Sequence, residues 1–186
     1  MTSELERNLI LECHLSPSQL NPNANKTNWG YGGKRGGFAY NPPSGWKGIG
    51  LNVSGKYDDG NNDWLANNGN KNEWAVAYHS INAKIIKNNL GMGFRMGPGQ
   101  NCKDYDDIYH PGQKVGVGVY FTPDPKKMEE FAKNNVSVIN GKKYFIALMV
   151  RVKPDKIRCP SGYQSFWVVN ASPDEVRPYR ILLKEI

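Results

Sequence analysis

The sequence predicts an α+β fold, a strongly bent antiparallel β-sheet with short helices, preceded by an irregular arm. Most apolar runs have the length of a strand, and the clearest of them is Lys143 to Val152. Two short helical patterns interrupt these runs, at Ile81 to Asn89 and at Pro125 to Asn134. A chain of 186 residues is enough for one domain with a real core.

The chain begins with a helical pattern and continues into a long irregular segment. Ser3 and Glu6 have the spacing of a capping box, and the apolar residues that follow fall on one face, which predicts a helix over residues 1–15. Residues 16–44 are rich in asparagine, glycine, proline and serine without periodicity, and they are too many for an ordinary connection. We interpret residues 16–44 as an arm.

The arm has aromatic side chains but few aliphatic ones. Fixing its backbone costs about 1–2 kcal/mol per residue, so we expect a surface outside this chain to order it. The expected partners are other proteins of a larger assembly with acidic surfaces, for which the cytoskeleton is one setting. The anchors of that contact are predicted to be Trp29, Tyr31, Phe38 and Tyr40.

The net charge of +7 favours acidic partners. The lysines are scattered, however, so a solvated surface is the favoured interpretation and nucleic acid is a less favoured partner. No apolar run is long enough to cross a bilayer, and the first residues lack a basic region followed by an apolar stretch. We expect a cytoplasmic protein that is not secreted and makes no membrane contact.

The residue types that bind metals do not fall into a ligand pattern. The three cysteines are odd in number and far apart, which predicts reduced thiols. The loop with Asp58, Asp59 and Asp63 fails the spacing of a calcium-binding EF-hand, so we interpret these residues as turn formers and caps. Cys102 and His110, with the acidic residues between them, match no known ligand spacing. We therefore predict no metal site.

Residues 45–186 carry the strand patterns, and one of these strands is unusual. Between Val115 and Phe121, Gly116 and Gly118 alternate with valines, so one face has no side chains and something flat can approach it. Asp124 or Thr122 then caps the helix that begins at Pro125.

Three stretches resemble a known family. Gly116 to Thr122 reads Gly-x-Gly-x-Tyr-Phe-Thr before a helix, which resembles the middle signature of the ADP-ribosyltransferase fold, in its diphtheria-toxin-like and poly(ADP-ribose) polymerase branch. Glu73 to Ile81 is similar to the family's strand that ends in His-Gly, and Phe166 to Ile186 is similar to its closing pair of strands. The resemblance implies that residues 45–186 form a split, bent antiparallel core.

The resemblance also implies a cofactor site for NAD. In the family, the histidine binds the adenosine ribose, and the next residue clamps the nicotinamide amide through its backbone. The tyrosine stacks on the nicotinamide ring, and a second aromatic residue closes over it. In this sequence His79, Ser80, Tyr120 and Phe131 stand at those four positions.

Three positions depart from the family's pattern. Its glycine is replaced by Ser80, whose Cβ crowds the amide site, and a serine that binds the carboxamide is replaced by Met128. The catalytic glutamate aligns with Ser165 or Gln164, which carry no charge. Losing such a group typically costs about 100-fold or more in rate, although relatives that transfer single ADP-ribose units manage without it.

These departures favour a non-catalytic ADP-ribosyltransferase-like module that serves as a binding or structural part of a larger assembly and needs no cofactor. The alternative is a mono-ADP-ribosyltransferase that transfers ADP-ribose from NAD to protein or nucleic acid. An unrelated fold is the third possibility.

Overall fold

The computed structural model describes residues 3–91, 94 and 99–186. Its strands pair in antiparallel fashion and its helices are short, so the predicted α+β class is confirmed. The described helices are α1 (Glu4–Glu12), α2 (Ile86–Gly91) and α3 (Pro125–Ala132). The described strands are β1 (Gly33–Arg35), β2 (Phe38–Tyr40), β3 (Lys47–Gly50), β4 (Ala75–Ile81), β5 (Val119–Phe121), β6 (Ser137–Ile139), β7 (Lys142–Val152), β8 (Trp167–Val169) and β9 (Val176–Glu185).

The main sheet has five strands in the order β3-β9-β7-β4, with β6 paired to β7. Strand β7 lies at its centre, and every residue from Tyr144 to Val152 is buried. The register between β7 and β9 shifts after Met149, which marks a β-bulge. Such a bulge bends the strand that carries it.

A second sheet contains β5 and β8, and a backbone bridge joins it to the main sheet. There the backbones of Tyr78 and Thr122 exchange two hydrogen bonds, of 2.8 and 3.0 Å. The two C-terminal strands belong to different sheets, because β8 pairs with β5 whereas β9 pairs with β7 and β3. This junction places the end of β4 beside the end of β5.

Two of the predicted helices begin where their caps indicate. Ser3 and Glu6 exchange the reciprocal hydrogen bonds of a capping box, and Asp124 caps α3 by accepting from the backbone of Lys126. The helix predicted from Ile81 begins later, since β4 continues to Ile81 in register with β7. In the described part of the chain, no helix has the length and apolar character needed to cross a bilayer.

The glycine face before β5 is covered by this chain itself. A Cβ on Gly118 would lie 2.7 Å from Val168, and one on Gly116 would lie 3.2 Å from the guanidinium of Arg158. Arg158 donates to the carbonyl oxygens of Val115 and Val117. The flat group that approaches this face is therefore an internal arginine, and the strand is shorter than predicted.

The segment of residues 16–44 makes its contacts with its own domain. Leu20 forms a backbone bridge with Leu51, and Lys26 forms one with Gly48 on β3. Leu20 and Tyr40 are buried in the core. The sequence analysis expected the segment to have too few aliphatic residues to pack on its own domain. This expectation is corrected, because backbone hydrogen bonds and aromatic rings supply the contacts.

Candidate functional site

A pocket of ≈ 500 Å³ lies beside the junction of the two sheets. The four residues that the resemblance assigned to ligand binding all line it: His79 and Ser80 on β4, Tyr120 on β5 and Phe131 on α3. Small-molecule sites typically measure roughly 300–1,000 Å³. We call this cavity the junction pocket.

His79 is oriented by the backbone of β5. Its Nδ1 lies 2.9 Å from the carbonyl oxygen of Tyr120, and a carbonyl can only accept, so Nδ1 carries the proton. Phe94 and Phe121 pack against the imidazole with ring centroids at 5.4 and 5.2 Å. Burial lowers the pKa of His79 below its ordinary value of 6.5, although the backbone hydrogen bond opposes this. The ring is therefore neutral near pH 7 and keeps an acceptor on Nε2.

Ser80 presents a hydroxyl without a partner. Its backbone is paired with Ala147 in the sheet, while its Oγ is shielded from solvent and has no hydrogen-bond partner among the described residues. An unsatisfied buried hydroxyl costs about 1–3 kcal/mol. A polar ligand atom that reached Ser80 Oγ would recover part of that free energy.

Tyr120 is held by the residues before β5. Its hydroxyl accepts a 3.1 Å hydrogen bond from the backbone N–H of Cys102. The side-chain amide of Gln100 exchanges two 3.0 Å hydrogen bonds with the backbone of Gly118. These bonds tie residues 99–102 to the edge of β5, so the orientation of the tyrosine ring at the pocket is set before any ligand arrives.

Phe131 lies on the last turn of α3 and contributes a pair of rings to the lining together with Phe166. Their ring centroids are 5.6 Å apart at an interplanar angle of 45°. Met128, one turn earlier, is fully buried and does not line the pocket. The residue at the family's serine position is therefore a core residue, and it contributes no polar group to the site.

The junction pocket has no charged wall in the part that the structure describes. No Asp, Glu, Lys or Arg stands among its described lining residues. Ser165 and Gln164 do not line it either, although their neighbours Tyr163 and Phe166 do. These walls supply flat apolar surface and neutral polar groups, but no carboxylate that could stabilise an oxocarbenium-like transition state.

The sequence analysis missed a second pair of rings at this pocket. Tyr105 and Tyr163 pack edge to face with ring centroids at 5.3 Å, and both line the cavity. The available signal was the presence of aromatic residues inside two polar loops, which is typical of binding loops. Their pairing depends on loops that are far apart along the chain.

The four aromatic residues predicted to anchor a partner lie outside the junction pocket. Tyr40 is buried, and Trp29 and Phe38 are partly buried against their own domain. Tyr31 is 97% exposed. Of the four, Tyr31 alone presents its whole ring to an outside surface.

The acidic residues between Cys102 and His110 have structural roles. Among the described residues, no group of three or more His, Cys, Asp or Glu side chains is placed to hold a metal ion. Asp107 is buried, accepts from the backbone N–H of Cys159 at 3.0 Å and pairs with His110 at 2.6 Å. Burial alone would raise the pKa of Asp107, but its hydrogen bonds, first that from Cys159, lower it.

A scan against models of protein families finds none that matches, and a search of curated proteins finds no match either. The geometry of the junction pocket is therefore the main guide to function.

Proposed function

We propose that this chain is a non-catalytic ADP-ribosyltransferase-like module whose junction pocket binds a flat, uncharged ring. The observation that carries this proposal is the convergence of His79, Ser80, Tyr120 and Phe131 on one cavity. They come from three elements that are separated along the chain, and the resemblance had assigned all four to the same ligand.

The arrangement of the sheets also supports the ADP-ribosyltransferase-like fold. The five-stranded sheet and the β5-β8 sheet are separate, and a backbone bridge between Tyr78 and Thr122 joins them. A split antiparallel core with a cleft at the split is what the resemblance implies.

The missing charges favour binding over catalysis. Cleavage of the bond between nicotinamide and ribose builds positive charge on the ribose, and a carboxylate that steadies it is typically worth about 100-fold or more in rate. Among the described lining residues there is no carboxylate, and there is no lysine or arginine that could pair with a diphosphate. The described walls therefore suit the ring of NAD better than the whole dinucleotide.

The second candidate is a mono-ADP-ribosyltransferase that modifies protein or nucleic acid with ADP-ribose from NAD. The presence of both Tyr120 and Phe131 in the lining favours it, because two aromatic rings could hold the nicotinamide ring. It requires a catalytic group other than Ser165 or Gln164.

A role in a larger protein assembly stays a prediction. Three of the four proposed anchors pack on this domain, so the partner contact now depends on Tyr31 and the exposed residues around it. Substituting Tyr31 tests this contact without disturbing the core.

Two measurements test the proposed function. The first is incubation of the purified chain with labelled NAD and a cell lysate, in which we expect no transfer of label. The second is titration with nicotinamide, followed by NMR. We expect weak binding that Tyr120→Leu reduces about fivefold, since a ring–ring contact is worth about 1 kcal/mol.

Tyr31→Ala is the matched control, because it removes a tyrosine ring that lies outside the pocket. Circular dichroism verifies that each variant is folded. Transfer of label that disappears in Tyr120→Ala would establish the second candidate instead. Nicotinamide binding that is absent, or insensitive to Tyr120→Leu, would overturn the proposed ring site.

A further inference from the structure

A second cavity of ≈ 280 Å³ lies between the segment of residues 16–44 and the main sheet. Three arginines line it: Arg35 on β1, Arg151 on β7 and Arg180 on β9. Lys26 adds a fourth positive charge, whereas no Asp or Glu stands among the described lining residues. We call this cavity the arginine pocket. It shares no described lining residue with the junction pocket.

Arg151 is a buried cation whose positive charge is not fully neutralised by its surroundings. Only 4% of the residue is exposed, and its two terminal nitrogens donate to the carbonyl oxygens of Trp74, Leu65 and Ala66 at 2.6–3.0 Å. Its Nε is buried without a hydrogen-bond partner among the described residues. Carbonyl dipoles satisfy donors but do not neutralise a buried charge, so an anion near Arg151 would be strongly favoured.

The carboxylate of Glu73 is not among the groups that line the pocket. Glu73 attracts Arg151 electrostatically, but its two carboxylate oxygens accept from the backbone N–H groups of Gly36 and Gly69 at 2.8 and 3.0 Å. Among the described residues, no ion pair joins Arg35, Arg151 or Arg180 to a carboxylate. The cavity keeps a net positive charge.

The other two arginines are oriented by aromatic rings. Arg180 lies over Tyr179, with its guanidinium carbon 4.9 Å from the ring centroid, and Arg35 lies over Tyr40 at 4.8 Å. Each uses one nitrogen to donate to a backbone carbonyl. A guanidinium stacked on a ring keeps its in-plane N–H groups available for an oxyanion. The rings thus orient donors without occupying all of them.

We propose that the arginine pocket binds a small phosphate monoester. Several forked N–H donors match a group with three acceptor oxygens better than a carboxylate with two. The volume is below the roughly 300 Å³ of the smallest drug-sized sites, so the organic part must be small. Trp29, which also lines the cavity, and Tyr40 offer apolar surface to that part.

Titration with phenyl phosphate, inorganic phosphate and acetate at constant ionic strength tests this proposal. We expect phenyl phosphate to bind more tightly than acetate and to shift the NMR signal of the Trp29 indole N–H, which marks this pocket. Arg35→Gln and Arg180→Gln should each weaken binding by about 10- to 100-fold, since a hydrogen bond to a charged group is worth about 1.5–3 kcal/mol.

Two further variants make the result specific. Lys126→Gln removes a positive charge from an exposed residue of α3 that lines neither pocket, and it should leave the affinity unchanged. Arg180→Lys keeps the charge but loses the fork, and it should bind more weakly than the wild type. Three results would each overturn the proposal. They are acetate binding as tight as phenyl phosphate binding, an equal loss of affinity in all variants, and no binding of phenyl phosphate at millimolar concentration.

Discussion

Arg177 is nearly fully buried, with 2% of its surface exposed. Its guanidinium carbon lies 4.2 Å from the ring of Trp74 and 4.4 Å from that of Tyr57, and its Nε donates to the carbonyl oxygen of Pro173. Asp58 accepts two hydrogen bonds from its terminal nitrogens, at 2.6 and 2.8 Å. This is a forked ion pair enclosed by aromatic rings, which is the geometry that arginine favours.

The role of Asp58 shows that a local sequence pattern predicts only part of what a single residue does. The sequence analysis interpreted Asp58 as a turn former, and its φ of 53° is indeed that of a tight turn. Its partner Arg177 follows 119 residues later in the chain, and no spacing rule connects the two residues. The same holds for Ser80, whose strand was predicted but whose unpaired hydroxyl was not.

We predict that Asp58→Asn destabilises the protein at pH 7. Removing one partner leaves Arg177 buried without its carboxylate, a change that costs roughly 3–5 kcal/mol for a fully buried pair. The Asp58 side chain is 50% exposed, so solvent screening should reduce the loss to about 1–2 kcal/mol. Urea unfolding measures this difference, and Asp59→Asn is the control because it removes the neighbouring exposed charge.

The pair of Asp58 and Arg177 also makes the loss of stability in Asp58→Asn depend on pH. The hydrogen bond from Arg177 holds the pKa of Asp58 below its ordinary value of 3.8, so the pair stabilises the fold above that pH and stops doing so as pH falls through the lowered pKa. The difference between wild type and Asp58→Asn should therefore vanish in strong acid. A difference that persists there, or an equal loss in Asp59→Asn, would contradict the prediction.

At the scale of elements, the segment of residues 16–44 is the main correction to the sequence analysis. Strands β1 and β2 form a hairpin whose turn residues Gly36 and Gly37 have φ of 57° and 83°. Two glycines between short runs are a hairpin signal, which the analysis passed over because the surrounding composition resembled disorder. A Cβ on Gly36 would lie 2.5 Å from the backbone nitrogen of Ala75, so the hairpin sits directly against the start of β4.

A second close approach fixes the segment on β3. A Cβ on Gly48 would lie 2.4 Å from the Trp29 ring, and the Trp29 indole N–H donates to the carbonyl oxygen of Trp46 at 3.1 Å. We predict that Gly48→Ala destabilises the protein by about 1–3 kcal/mol, the usual cost of overpacking. The cost should be smaller by at least about 0.5 kcal/mol when Trp29 is replaced by leucine, because contacting residues couple.

A double-mutant cycle of Gly48→Ala and Trp29→Leu, measured by urea unfolding, provides these values. Gly99→Ala is the matched control, because among the described residues a Cβ there would meet only the Asn101 side chain, at 4.0 Å. An equal cost of Gly48→Ala in both backgrounds would show that Trp29 does not pack on β3.

At the scale of the whole molecule, one core connects α1, the main sheet and the second sheet. All three cysteines are buried and free, with Cys159 fully shielded and Cys13 2% exposed. Burial raises the pKa of each thiol, and it raises that of Cys13 to about 12. A buried thiol with a raised pKa carries little of the reactive thiolate.

We therefore predict that a thiol reagent modifies the native protein slowly at pH 8, whereas protein unfolded in guanidinium reacts at all three cysteines within the mixing time. Modification rates followed by mass spectrometry report the opening of the core, and the unfolded protein at the same pH is the control. Rapid reaction of one thiol in the native state would mean that its part of the core opens readily.

The sequence by itself determined the α+β class, the cap of α1 at Ser3, the start of α3 at Pro125 and the central strand β7, because these depend on periodicity and capping over a few residues. The family resemblance read from the sequence also assigned His79, Tyr120 and Phe131 to ligand binding, and the tertiary structure brings these three residues to one pocket. Only the tertiary structure decided where residues 16–44 pack and which residues form the arginine pocket. Those contacts join residues far apart in the chain, and their free energy comes from burial and hydrogen bonding that no local pattern records.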